Sequence, residues 1–203
     1  MNRFCEPARR SLVRASAVLQ ALATAALLAA CAPVALERGT EVGASAAVQG
    51  SFEITGRLSA RHADDALTAN FHWRHANGRD ELDLASPLGQ AVASLSGEAG
   101  SVSLQTADGR LATASDWSTL TAQRLGWPLP VAGLTFWIQG VPRPGSRADI
   151  ETGGDGRVSV LRQDGWMIVY QAFTQVQAGD WRPARMTLSY PDVEVRIAVD
   201  TWQ

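Results

Sequence analysis

In the run Phe52-Glu53-Ile54-Thr55-Gly56-Arg57-Leu58-Ser59-Ala60-Arg61, apolar or small residues hold every second place. Side chains on a strand point alternately to opposite faces, so such a run has one face for a core and one for water. The pattern recurs. Leu67, Ala69, Phe71 and Trp73 share one face, opposite Thr68, Asn70, His72 and Arg74. Asn77-Gly78 is a hairpin signal, and it leads to Leu82 and Leu84 facing in with Glu81 and Asp83 facing out. Further strands are expected at Ala91–Ser96, Ser101–Thr106, Arg110–Thr113, Ala148–Thr152, Arg157–Gln163, Trp166–Phe173, Ala184–Tyr190 and Val193–Trp202. A chain of roughly eleven strands with one apolar face throughout must curl around its own interior or pack on helices.

The alternation fails only in the middle. Ser115 is an expected N-cap for a helix through Arg124, with Trp117, Leu120 and Leu125 on one side. From Leu125 to Pro142 the chain carries no charge, and proline and glycine divide it into short pieces. It is therefore neither one long helix nor a membrane span. It reads as a short helical insert over the open apolar side of the sheet, a lid on a vessel.

Composition narrows the chemistry. Residues 1–30 hold four arginines and one acid, and the rest carries 14 arginines against 19 carboxylates. That acidic balance argues against a nucleic-acid partner. There is no lysine, which removes P-loop and Schiff-base chemistry. There is no Gly-x-Ser-x-Gly elbow and no His-Glu-x-x-His motif. His72 and His75 have no carboxylate or thiol spaced to complete a metal site, so they read as surface histidines, His75 lying in the turn. No metal, cofactor or catalytic residue is expected.

Residues 1–14 are basic, and Ala15 to Ala30 is an Ala/Leu-rich run with one strongly polar residue, Gln20, the tripartite form of a secretory signal. The residues around Arg9-Arg10 fit twin-arginine export poorly. The run closes in Leu28-Ala29-Ala30-Cys31, which looks like a bacterial lipobox, with cleavage before Cys31 and acylation of its thiol. The plain alternative is an ordinary signal cleaved after Ala30. The expected division is thus a cleaved signal over 1–30, a lipidated N-terminus and tether over 31–50, and one domain over 51–203. As a coil the tether spans about 25 Å.

Between two strands lies Ser86-Pro87-Leu88-Gly89-Gln90. Pro87 sets a turn and Gly89 tolerates positive φ, so Leu88 sits at or near the tip. Pattern alone leaves two readings: Leu88 folds back into the core, or it stands exposed and dips into a bilayer. Burying it there supplies roughly 1.5–3 kcal/mol, enough to orient a protein at a surface but not to anchor it.

Taken together, the lipobox, the strand pairs closing in Ser86-Pro87-Leu88-Gly89, the block Leu125-Gly126-Trp127-Pro128-Leu129-Pro130-Val131, and Leu134, Trp137 and Gly140-Val141-Pro142 resemble the LolB family of outer-membrane lipoprotein receptors. The resemblance runs from Cys31 to the end. It implies a mainly β fold, an incomplete, unclosed antiparallel β-barrel whose helical lid covers an apolar cavity for acyl chains. It further implies a monomer on the periplasmic face of the bacterial outer membrane. That monomer receives triacylated lipoproteins from the periplasmic carrier LolA and inserts them into the inner leaflet. Cys31 would carry the lipid, and Pro87, Leu88 and Gly89 would form the membrane-inserting loop with its exposed leucine. Ala32 after the cysteine, where no Asp stands, matches outer-membrane sorting. Candidates to line the cavity are Ile54, Leu58, Phe71, Trp73, Leu82, Leu84, Trp117, Leu120, Leu125, Leu134, Trp137, Ile138, Val169 and Leu188; Trp73, Trp117 and Trp137 serve equally well as packed core. Two alternatives stand beside this. One is an envelope scaffold using the same barrel without lipid transfer. The other is a lipid hydrolase, which would need a nucleophile beside an inward-facing base.

Overall fold

The computed structural model describes Val48, residues 50–125 and residues 128–203. The expected signal, Cys31 and the tether up to residue 47 lie outside the described residues, as do Gly126, Trp127 and the side chain of Leu125.

Six strands come first: β1 (Ser51–His62), β2 (Asp65–Ala76), β3 (Arg79–Ala85), β4 (Ala91–Glu98), β5 (Ser101–Thr106) and β6 (Leu111–Ala114). Two helices follow, α1 (Trp117–Leu125) and α2 (Val131–Trp137). Five more strands complete the chain: β7 (Ala148–Thr152), β8 (Val158–Gln163), β9 (Trp166–Gln177), β10 (Asp180–Tyr190) and β11 (Val193–Trp202). Among the described residues the eleven strands form one sheet in the order β6-β5-β4-β3-β2-β1-β11-β10-β9-β8-β7, antiparallel throughout. The first and last strands pair at its centre. Its edges, β6 and β7, stay unpaired with each other, and the chain between those edges is the helical insert. The mainly β, unclosed architecture expected from the sequence is the one found.

Inward parity follows the alternation. Phe52, Ile54 and Ala60 on β1, Ala69, Phe71 and Trp73 on β2, and Val193, Val195, Ile197 and Val199 on β11 are buried. A Cβ built on Gly56 would overlap the carbonyl oxygen of Ala198 and lie 2.9 Å from the Phe71 ring. Glycine is thus required where the register of β1 on β11 shifts, between Thr55 and Gly56.

Three local expectations are corrected. The N-cap of α1 is Asp116, not Ser115: Thr119 N–H donates to Asp116 Oδ1 at 2.8 Å. Ser115 only donates its hydroxyl to the same carboxylate. β9 and β10 run to Gln177 and from Asp180, well beyond the expected ends, because their polar outer halves lack alternation. Pro183 is accommodated within β10 beside a register shift, where a missing N–H costs no ladder bond. The third correction is His75. It belongs to β2 and shares the inward parity of Phe71 and Trp73, so its side chain is only 13% exposed.

Candidate functional site

The sheet and its insert enclose an apolar cavity of about 620 Å³. Of the expected lining residues, Leu58, Phe71, Trp73, Leu82, Leu84, Leu134 and Ile138 border it. Ala60, Leu67, Val92, Ala93, Leu95, Leu104, Ala112, Leu129, Val195 and Ile197 border it too. All but Val92 and Leu129 share the inward parity of their strands, which was the signal available for them. Ile54, Trp117, Leu120, Trp137 and Leu188 are buried but pack the core rather than border the space. Val169 differs from its expected place. Trp166, Ile168 and Tyr170 take the inward parity of β9, leaving Val169 half-buried against the outer face beside Arg185 and Thr187.

The insert is held down by polar groups. Trp137 Nε1 donates to Gln163 Oε1 on β8 at 2.8 Å, and the same oxygen accepts Arg143 N–H at 2.8 Å. Gln163 Nε2 donates in turn to the carbonyls of Arg143 and Ser146. Tyr170 Oη donates to the carbonyl of Trp137 at 2.8 Å, and burial pushes the phenol well above its usual pKa, so it remains a donor. Thr121 Oγ1 donates to the carbonyl of Trp117 and accepts Leu129 N–H at 2.7 Å, tying the start of α2 to α1. Gly133 bears no Cβ because one would lie 2.8 Å from the Trp137 ring. Leu134 and Ile138 thereby face the cavity while Trp137 packs toward Trp166, ring centroids 6.5 Å apart.

The cavity's polar lining clusters at one end: Thr106, Asp108 and Arg110 around the β5–β6 turn, and Arg124 on α1. Arg110 and Asp108 pair at 3.1 Å with side chains 83% and 54% exposed, so this end meets solvent and is the mouth. Thr106 Oγ1 donates to Asp108, and that bond holds the carboxyl below its usual pKa. The neighbouring loop is Ser86–Gln90. Ala107 N–H donates to the carbonyl of Val92 at 3.0 Å, joining the β5–β6 turn to β4 just after that loop.

Gly89, at φ +85°, closes the turn by donating its N–H to the carbonyl of Ser86 at 2.8 Å. Leu88 at the tip is 90% exposed. Of the two readings open from the pattern, the core reading is excluded. Ser51 pairs with Ala76 at the opposite end of the sheet, beside the Asn77-Gly78 turn.

The closest approach to a catalytic constellation is at that opposite end. His75 Nδ1 lies 2.8 Å from Asp80 Oδ1, which also accepts Trp73 Nε1 at 2.9 Å, and the Phe52 ring stacks on the imidazole at 5.3 Å. Among the described residues no serine, threonine or cysteine is hydrogen-bonded to this imidazole. The cluster packs the foot of the barrel.

The chain is similar over most of its length to known proteins. The family described as "Outer membrane lipoprotein LolB" matches residues 50–202. A protein of Chromobacterium violaceum named outer-membrane lipoprotein LolB is 38% identical over 182 residues, 90% of this chain and 96% of that one. Its namesake in Nitrosomonas europaea is 37% identical over 153 residues, 75% of this chain and 72% of that one. Among solved structures, a LolA superfamily protein of Nitrosomonas europaea superposes with a TM-score of 0.48 at 10% identity, covering 76% of this chain and 86% of that one. On the family match and these identities, the chain belongs to the LolB family of outer-membrane lipoproteins.

Proposed function

We propose that this protein is a lipid-anchored receptor on the periplasmic face of the outer membrane. It takes triacylated lipoproteins from a LolA-like carrier through its apolar cavity and inserts them into the inner leaflet. The observation that carries this reading is the pairing of an apolar cavity of about 620 Å³ with a 90% exposed leucine on the loop beside its mouth. A cavity alone suits many ligands; a cavity that opens next to an apolar tip suits delivery into a bilayer.

Each methylene withdrawn from water is worth about 0.8 kcal/mol, so acyl chains do not cross water at useful rates. Hand-over needs a preformed apolar space and direct contact. Without a nucleotide-binding motif in the sequence, the direction of transfer is set by rising affinity from carrier to receptor to bilayer. Acylated Cys31 keeps the protein at its membrane, and the cavity does the binding. Pro87 and Gly89 shape the turn that presents Leu88. The chemistry is transfer without catalysis, by a monomer that needs no cofactor.

The test is a transfer assay with the unlipidated Cys31→Ala protein and carrier loaded with a triacylated lipoprotein. Cargo moving to this protein without nucleotide supports the receptor reading. Cargo that stays on the carrier, with this protein shown to be folded, overturns it in favour of a scaffold role.

A further inference from the structure

The mouth of the cavity is electrically lopsided. Asp108 is matched by Arg110 at 3.1 Å and by the Thr106 hydroxyl, so that pair carries no net charge. Arg124, the remaining charged residue of the lining, is exposed, and among the described residues no ion pair or hydrogen bond engages its guanidinium. Its place in the last turn of α1 complements the helix dipole, which accounts for a cation on that turn but not for its position over an apolar space. Asp64 and Asp192 sit in turns and Asp65 opens β2 at the same end, and none of them borders the cavity.

The volume sets how much apolar chain fits. At about 30 Å³ or less for a group the size of water or methylene, a space of about 620 Å³ has room for at least one long acyl chain. Resting on the acyl-cavity reading above, we infer that the protein binds single-chain anionic amphiphiles, one per molecule, with the acyl chain in the cavity and the anionic head on Arg124. A free guanidinium offers a carboxylate or phosphodiester charge-assisted hydrogen bonds, and it repels a cationic head. Free fatty acids and lysophospholipids both have this chemistry.

Calorimetric titration of the Cys31→Ala protein with four twelve-carbon probes, each below its micelle concentration, tests the assignment. The probes are laurate, lauroyl-lysophosphatidylglycerol, monolaurin and dodecyltrimethylammonium. The expected result is one site per protein, with an anionic probe binding about fivefold or more tighter than the cation. Arg124→Gln should erase that preference and Arg124→Lys should retain most of it, with the thermal midpoint unchanged in both. Preference for laurate alone assigns the ligand to free fatty acids, and preference for the lysophospholipid alone assigns it to lysophospholipids. Equal binding of all four probes, or a preference that survives Arg124→Gln, overturns the headgroup assignment and leaves the acyl cavity standing. No binding of any probe by the folded protein overturns both.

Discussion

Trp137 on α2 donates its indole N–H to Gln163 Oε1 on β8 at 2.8 Å, and both side chains are almost fully buried. One glutamine thus fastens the lid helix and the segment after it to the wall of the barrel, since it also bonds Arg143 on both its N–H and its carbonyl. Removing its amide leaves the buried Trp137 N–H and the part-buried Arg143 N–H and carbonyl without their partner. Gln163→Leu should lower unfolding free energy by about 3 kcal/mol, from the desolvation penalty of each orphaned group. Urea denaturation measures this. A loss under about 0.5 kcal/mol, the range of ordinary surface changes, would show that the lid is held by apolar packing alone.

Gly56 lies at the central β1–β11 pair with the Ala198 carbonyl and the Phe71 ring against its Cα. Gly56→Ala should cost more than about 4 kcal/mol, in the exceptional class that follows from forced backbone displacement. Gly145→Ala is the control, since nothing lies within 4 Å of that position; its cost should be the smaller one of an alanine at positive φ. Circular dichroism melts of the two variants give the comparison.

How far these features could be read from the chain depends on the kind of signal. Strand number, order of elements and the break at the insert were legible because parity is a local property, as in Phe52 to Ala60. Cavity lining was legible only in part. Trp73 and Trp137 carry the same signal, yet Trp73 borders the space and Trp137 fills the core, because a void is set by how β8, β9 and α2 converge in space. The sequence places His75 at the surface of the turn, because its partner Asp80 lies across the hairpin. Pattern left Leu88 open between core and tip, since a turn residue has no parity. Arg124 gave no signal at all, because its meaning comes from the turn of β5 and β6 beside it.

Leu88 at the loop tip touches nothing that stabilises the fold, being 90% exposed. Leu88→Glu should therefore leave unfolding free energy within about 0.5 kcal/mol and leave cargo uptake intact. Delivery to lipid vesicles should stop, because a charge replaces the apolar group proposed to enter the bilayer. Loss of both uptake and delivery would sink the assignment of this loop to the membrane.

Ala93 borders the cavity from β4, next to Leu84 across the strand pair. Ala93→Phe places a ring in empty space instead of in packed core. Its effect on stability should stay within about 1.5 kcal/mol, below the cost of true overpacking. Binding of apolar probes and uptake of acylated cargo should both fall sharply. Unchanged uptake by a folded Ala93→Phe protein would mean that cargo chains lodge elsewhere.

Acid should loosen the fold through four carboxylates held below their usual pKa. Glu53 is held mainly by its hydrogen bond to His72, then by Arg74; Asp108 by the Thr106 hydroxyl; Asp116 by the Thr119 N–H; and Asp155 by the Arg157 N–H. A carboxylate depressed in the folded state binds its proton more readily when unfolded. Its stabilisation is complete above the unfolded pKa, near 4, and is lost as pH falls through the lower folded value. The urea midpoint should therefore be insensitive to these groups from pH 7 to about 5 and should decline below about pH 4. Asp116→Asn keeps a side-chain oxygen for the cap of α1 but has no proton to gain, so its acid decline should be shallower than that of the parent. Identical acid profiles for the two proteins would remove the Asp116 cap from the account of acid stability.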